Sequence, residues 1–187
     1  SFAKVNRTTF HEDGIRSESD TDHTVMLALC ASSLADALYK DILDVGIVAQ
    51  FAIVHDLVEV YAGDTNSINL SKEGKNDKDK KEQESLTKIK LQFEGVYPWI
   101  HTTIESYESL ATKEARFVKA LDKAMTKITN TLDCGAAIKK HNLKEEDFFR
   151  HYETQREYLV SLTKEFPELM DIFDLLTKRM VGEIYGK

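Results

Sequence analysis

Val45-Gly46-Ile47-Val48-Ala49-Gln50-Phe51-Ala52-Ile53-Val54-His55-Asp56-Leu57-Val58-Glu59 sets a strongly apolar run directly against a histidine and two carboxylates. The run has the length and content of a helix buried on most sides. Such a helix should not carry His55, Asp56 and Glu59 without partners, because an unpaired buried charge costs several kcal/mol. In a helix Glu59 lies one turn beyond His55 and three residues beyond Asp56, which returns its carboxylate to their side. Two arrangements answer this electrostatic problem: a bound metal ion, or a network of buried ion pairs among helices. Ala62-Gly63-Asp64-Thr65 follows. Gly63 marks the end of the helix, so Asp64 falls in the turn beside the end that presents Glu59.

Upstream, Ser19-Asp20-Thr21-Asp22-His23 reads as a helix start, with cap residues and first-turn acids. Met26, Leu29, Cys30, Ser33, Leu34 and Ala37 then recur at the spacing of a one-faced helix, with His23 on its core side. One such histidine is usually a satisfied core residue; His55 on the next helix gives it weight. Downstream, the charged stretch from Asn66 to Lys81, with Gly74 inside it, reads as a surface loop. It leads into a modest helix over Gln83 to Phe93, ended by Gly95 and Pro98. Trp99, Ile100, Thr103, Ile104 and Tyr107 form another helical face. Thr112 can cap a long helix in which Phe117, Leu121, Met125, Ile128 and Leu132 recur at helical spacing. Asp122 lies at the edge of that stripe, either as a paired structural acid or as a ligand. Gly135 interrupts the pattern. Two more helices follow, one through Phe148, Tyr152, Leu159 and Leu162, the other after Pro167 through Leu169, Phe173, Leu176, Met180 and Ile184.

No stretch alternates like a strand, so the expected fold is all-α, with about six or seven helices. The opening, Ser1 to Ser19, reads as irregular and polar. Arg7, Phe10 and Arg16 stand out in it: two arginines near an aromatic can hold a phosphate and a ring, or simply pack on the surface.

The chain has 187 residues, enough for a sizeable core in one domain. Lys and Arg number 25 against 32 Asp and Glu, and the net charge of −7 argues against broad sequence-independent binding to a nucleic-acid polymer. Cys30 and Cys134 form no CxxC pair and suit two buried thiols in a reducing compartment. The apolar run before His55 is interrupted by charge too early to span a bilayer, and no signal peptide is visible.

Collected, the candidates are His23, then His55 and Asp56, then Asp122, each group on a different expected helix. Two imidazoles and two carboxylates make a mixed nitrogen and oxygen site suited to one divalent ion such as Mn, Co, Fe, Ni or Zn. The order H…HD…D, extended as His55-Asp56-x-x-Glu59-x-x-x-x-Asp64, resembles the HD-domain metal-dependent phosphohydrolases. Within them it is most similar to the small 5′-deoxynucleotidases. Arg7-Thr8-Thr9-Phe10 resembles that group's Arg-Thr-Gly-Trp. Ser19-Asp20-Thr21-Asp22-His23 resembles its Ser-Val-Ser/Ala-Asp/Glu-His, and Glu114-Ala115-Arg116 through Asp122-Lys123 its Glu-Ala-Arg…Asp-Lys. The likeness covers roughly Arg7 to Asn130. Phe10 stands where the group has Trp, and the helix that precedes the Arg-Thr motif is nearly absent, as in a shortened N-terminus.

The resemblance implies a single HD-domain helical bundle over residues 1–187. Its motifs lie within about 7–130, and helices over 144–185 pack on that part. It implies metal-dependent hydrolysis of nucleoside 5′-monophosphates, with the metal held by His23, His55, Asp56 and Asp122. Glu59 and Asp64 would orient or deprotonate water and protonate the leaving 5′ oxygen. Arg7 and Arg16 would neutralise phosphate, and Phe10 would pack on sugar or base. The alternatives are an HD-type deoxynucleoside triphosphate triphosphohydrolase and a non-catalytic nucleotide-binding HD protein. A small nucleotide as partner, no membrane, a homodimer and a cytoplasmic location complete the expectation.

Overall fold

A computed structural model describes residues 2–63 and 72–186. Asp64 and Thr65 therefore lie outside the described residues, as does the first part, 66–71, of the loop expected from Asn66 to Lys81. Within the described residues the fold is all-α apart from one small hairpin, β1 (Asn6–Phe10) paired with β2 (Ser17–Ser19). The long helices are α1 (Asp20–Tyr39), α2 (Val45–Val54), α4 (Lys72–Phe93), α5 (Trp99–Glu108), α6 (Lys113–Leu132), α8 (Glu145–Leu162) and α9 (Pro167–Tyr185). Two short ones, α3 (Glu59–Ala62) and α7 (Ala136–Lys140), fall between them.

The hairpin corrects the reading of the N-terminal stretch as irregular. Its strands are five and three residues long, too short to show alternation. Its turn is built locally: Asp13 Oδ1 accepts from the amides of Ile15 (2.8 Å) and Arg16 (3.1 Å).

The chain divides into two compact units, one of residues 1–6 and 19–118, the other of residues 7–18 and 119–187. In the first, Ser19 starts α1 with a reciprocal cap. Its Oγ accepts from the Asp22 amide (3.2 Å), and Asp22 Oδ2 accepts from the Ser19 amide (3.0 Å). The buried face of α1 is His23, Leu27, Ala31, Ala35 and Tyr39, one residue out of phase with the expected stripe. Met26 and Leu29 are 50% and 59% exposed. Apolar residues surround much of this helix, so periodicity alone does not fix its phase. Helix α2 packs against α1, and small residues such as Ala31 and Ala35 on a buried face suit close approach of a neighbour.

Asp44 caps α2, accepting from the Ile47 amide, and its own amide donates to Glu114 Oε1 at 3.2 Å. Arg116 Nη1 donates to the carbonyls of Leu110 (3.2 Å) and Ala111 (3.0 Å). The Glu-Ala-Arg string thus ties the start of α6 to the loops around it. Thr112 Oγ1 caps that helix as expected, accepting from the Ala115 amide. Residues Val45–Ala62 have a mean hydropathy of 1.5, but α2 ends after ten residues, well short of the roughly 20 a span requires.

Helix α4 begins eleven residues before the expected start at Gln83, at Lys72, so residues 72–81 are helical rather than loop. Lysine, glutamate and glutamine are good helix formers, and Lys78 pairs with Glu82 one turn on at 3.5 Å. Its later turns are anchored by Ile89, which joins Val54, Val58 and Ile104 in a buried cluster.

In the second unit, Ile138, Phe148, Met180 and Val181 form a core. Arg156 holds Asp174 with two parallel N–H donors, and the Tyr152 hydroxyl donates to the same carboxylate at 2.8 Å. Gly135 has φ +73°, and a Cβ there would meet Ile184 at 2.7 Å, so both backbone and space require glycine. Cys134, just before it, is exposed and Cys30 half-buried, which corrects the expectation of two buried thiols. Position 134 lies in the turn beyond α6, at φ 53°, exposed between the buried Asp133 and Gly135.

Candidate metal centre

The chain tightens where the apolar helix meets its polar residues. Helix α2 stops at Val54, and the following amides bond three residues back: Leu57 to Val54 (3.0 Å) and Glu59 to Asp56 (2.9 Å). His55 and Glu59 are therefore not one α-turn apart on a single helix, as the sequence suggested. In this tighter geometry residues three apart eclipse, which aligns Asp56 with Glu59 instead.

His55 is buried, and its Nδ1 donates to the Ala52 carbonyl at 2.8 Å. A carbonyl only accepts, so Nδ1 carries a proton, and in the neutral ring Nε2 carries the lone pair. Nε2 is 2.9 Å from Asp56 Oδ2. A lone pair facing a carboxylate at that distance is repulsive unless positive charge lies between them, as a second ring proton or a cation. The buried His23 ring comes from α1 with its centroid 5.2 Å from that of His55. One donor atom each from His23, His55 and Asp56 lie within 4.8 Å of one another. Ligand distances of about 2.0–2.2 Å place opposed donors up to ~4.4 Å apart. These three therefore fit a single divalent ion of the kind that accepts mixed imidazole and carboxylate ligands. Tyr107, fully buried on α5, packs the edge of the His55 ring at 6.3 Å between centroids.

A second group shares Asp56. Donor atoms of Asp20, Asp56 and Glu59 also lie within 4.8 Å of one another. Asp20 is fully buried at the first position of α1 and was read from the sequence only as a first-turn acid. The capping box itself is made by Ser19 and Asp22. Three carboxylates this close repel unless cations neutralise them. Lys78 on α4 supplies one positive charge, with Nζ 3.9 Å from Glu59 Oε1. The sequence reading missed Lys78 because it lay in the supposed loop.

The remaining candidates belong to the second unit. Asp122 is buried on α6, and its Oδ2 accepts from Lys123 Nζ at 2.7 Å. Arg7 lies 3.7 Å from Glu18 Oε2, which also accepts from the Thr9 hydroxyl at 2.6 Å. Phe10 is buried, with Lys140 Nζ 4.7 Å from its ring centroid, a cation over an aromatic face. Arg16 is exposed in the hairpin turn. Glu18 and Lys140 were not anticipated; the first is a long-range partner, and the second lies far along the chain.

Comparison with known proteins gives a consistent pattern. A family model described as "HD domain" matches residues 2–163. The protein named 5′-deoxynucleotidase HDDC2 in Homo sapiens is 33% identical over 110 residues, 58% of this chain and 50% of that protein. Its namesake in Xenopus laevis is 35% identical over 108 residues, 57% of this chain and 50% of that protein. The chain thus matches only about half the length of these curated relatives. Among solved structures, a protein described as a predicted metal-dependent phosphohydrolase from Magnetospirillum magnetotacticum MS-1 superposes with a TM-score of 0.76. It is 23% identical, over 98% of this chain and 90% of that one. The PH0347 protein of Pyrococcus horikoshii OT3 has a TM-score of 0.57 at 25% identity, over 90% of this chain and 87% of that one.

Proposed function

The chain belongs to the HD-domain family, and from that premise we propose that it is a metal-dependent phosphohydrolase acting on nucleoside 5′-monophosphates, as a 5′-deoxynucleotidase. The observation that carries the reading is the convergence of His23, His55 and Asp56, with Glu59 beside them. The relatives named 5′-deoxynucleotidase support the choice of substrate.

His23, His55 and Asp56 would hold the ion, with Asp122 as the fourth ligand we assign from the H…HD…D order and its burial on α6. When bound, a divalent ion of this class polarises a phosphoryl oxygen and makes water a nucleophile near neutral pH. The chain's own groups supply the rest. Ala52 fixes the His55 tautomer so that Nε2 faces the site. Glu59 takes the proton from the attacking water or orients that water, and Asp64 is the second acid–base group for the leaving 5′ oxygen. Arg7 and Arg16 carry positive charge for the phosphate, and Phe10 offers its ring to the sugar or base. A small nucleotide partner, a cytoplasmic location and a homodimer complete the proposal.

Phosphate release from nucleoside mono-, di- and triphosphates, each with Mn, Co, Ni, Zn and Mg, tests it. Monophosphate hydrolysis, with deoxynucleotides preferred, is the expected result. Release of tripolyphosphate from deoxynucleoside triphosphates would move the protein to the triphosphohydrolases. Nucleotide binding without turnover under every metal would make it a non-catalytic binder.

A further inference from the structure

We propose that Lys78 is a positioning residue for Glu59, holding its carboxylate in place through an ion pair reaching over from α4. The inference rests on the assignment of Glu59 as an acid–base group.

The inward stripe of α4 carries the first observation. Among the described side chains of this helix, residues 74, 78, 82, 85, 86, 89, 90 and 93 are buried or half-buried, spaced at three and four as one face. Its C-terminal part is ordinary packing, with Ile89 in the apolar cluster. Its N-terminal part puts Lys78 and Glu82 on that same face, while Asp77, Asp79, Lys80 and Lys81 point outward and are exposed. A lysine turned toward the protein in so soluble a helix needs a reason, because burial of an ammonium is costly without a partner. Its partners are Glu82, 3.5 Å away, and Glu59 Oε1, 3.9 Å away.

The second observation is that α4 grips the turn bearing Glu59 at several points. The buried Ser85 hydroxyl donates to the Val58 carbonyl, immediately before Glu59. The Tyr61 hydroxyl donates to Gln92 Oε1 at 2.6 Å, and Lys88 Nζ stands 5.7 Å from the Tyr61 ring centroid. These contacts fix the backbone of α3. Lys78 alone among them addresses the Glu59 side chain. The carboxylates of Asp20 and Asp56 are among the close neighbours of Glu59, and their like charge pushes it away from them. Lys78 opposes that push, and Glu82 holds Lys78 in register. At 3.9 Å the contact is an ion pair rather than a hydrogen bond, so charge matters more than donor geometry and arginine should substitute for lysine.

The test is a double-substitution cycle on the full chain, with deoxyadenosine 5′-monophosphate and Mn²⁺ or Co²⁺ as probes. Lys78→Met should lower kcat by about 10- to 100-fold, the scale of a misplaced catalytic group, with KM and metal content unchanged. Lys78→Arg should recover most of the loss. In a Glu59→Gln background Lys78→Met should cost nothing further, because the group it positions is gone. Full activity of Lys78→Met beside an inert Glu59→Gln overturns this inference and leaves the proposed function standing. A loss that persists in the Glu59→Gln background, or that appears in KM, also overturns it and assigns Lys78 to folding or to substrate. Wild-type protein inert toward the ester, or fully active Glu59→Gln, overturns the assignment on which the inference rests, and the inference with it.

Discussion

Two buried polar centres, one in each unit, differ in what surrounds them. Around His55 the first unit gathers two imidazoles and three carboxylates in overlapping groups. In the second unit Lys127 is a single buried amine, satisfied by Gln155 and by the Phe173 ring 4.7 Å from its Nζ. Burial first, and the charge of Lys123 second, push the Lys127 amine down to about 7. A neutral amide and an aromatic face can hold an amine in either protonation state. Clustered carboxylates and imidazole lone pairs cannot be held together so cheaply; they call for a cation. Buried polarity is thus common to both centres, and the chemistry of the partners separates a ligand set from a packed side chain.

The largest expected effect breaks the first centre. Asp56→Ala or His55→Ala should abolish metal binding and reduce phosphohydrolase activity by about 10³-fold or more, the loss expected when several kcal/mol of Lewis-acid stabilisation disappear. Metal content measured on the same preparations separates loss of the ion from loss of chemistry. Retained metal with retained activity in Asp56→Ala would put this carboxylate with Lys127, as packing.

Substrate contacts come next. Arg7→Ala should raise KM and lower turnover for every phosphate ester, by about 10-fold or more if a charge-assisted hydrogen bond is lost. Steady-state kinetics over several esters would show it. Phe10→Trp should change mainly the deoxy/ribo ratio, by roughly 3- to 10-fold. An unchanged ratio would show that this ring, buried under Lys140, is scaffold alone.

The smallest effect sharpens the comparison from the other side. Lys127→Met should leave metal and activity in place and raise Tm at pH 7 by roughly 5 °C. The sign follows from proton binding. Between about 7 and the unfolded value of 10.5, the unfolded chain binds a proton that the folded chain does not, so wild-type stability rises with pH across that window. The penalty is complete below the window and absent above it. Thermal melts from pH 6 to 10 should slope upward for wild type relative to Lys127→Met, and the two curves should converge at the alkaline end.

How much of this was legible in the sequence depends on how local each signal is. The Ser19–Asp22 cap, the apolar run ending at His55, the glycine at 63 and the long helix after Thr112 all announce themselves within a few residues. The phase of α1 did not, because Leu27 and Met26 are both apolar and only tertiary packing buries Leu27 and leaves Met26 half exposed. The charged residues of α4 looked like loop because their inward face carries Lys78 and Glu82 rather than leucines. The hairpin escaped notice because three- and five-residue strands show no period. Asp20 was hidden by its own plausibility as a first-turn acid. Histidine and aspartate at His55-Asp56 were informative for the opposite reason: neither belongs at the end of so apolar a helix without a partner.

The most direct test of the metal centre is elemental analysis of the purified protein, with anomalous diffraction to locate the ion. The account predicts one divalent ion per chain, in contact with His23, His55 and Asp56 and completed by Asp122. A well-occupied ion that lacks any of these side chains would contradict it, as would a protein that takes up no ion from Mn, Co, Ni or Zn.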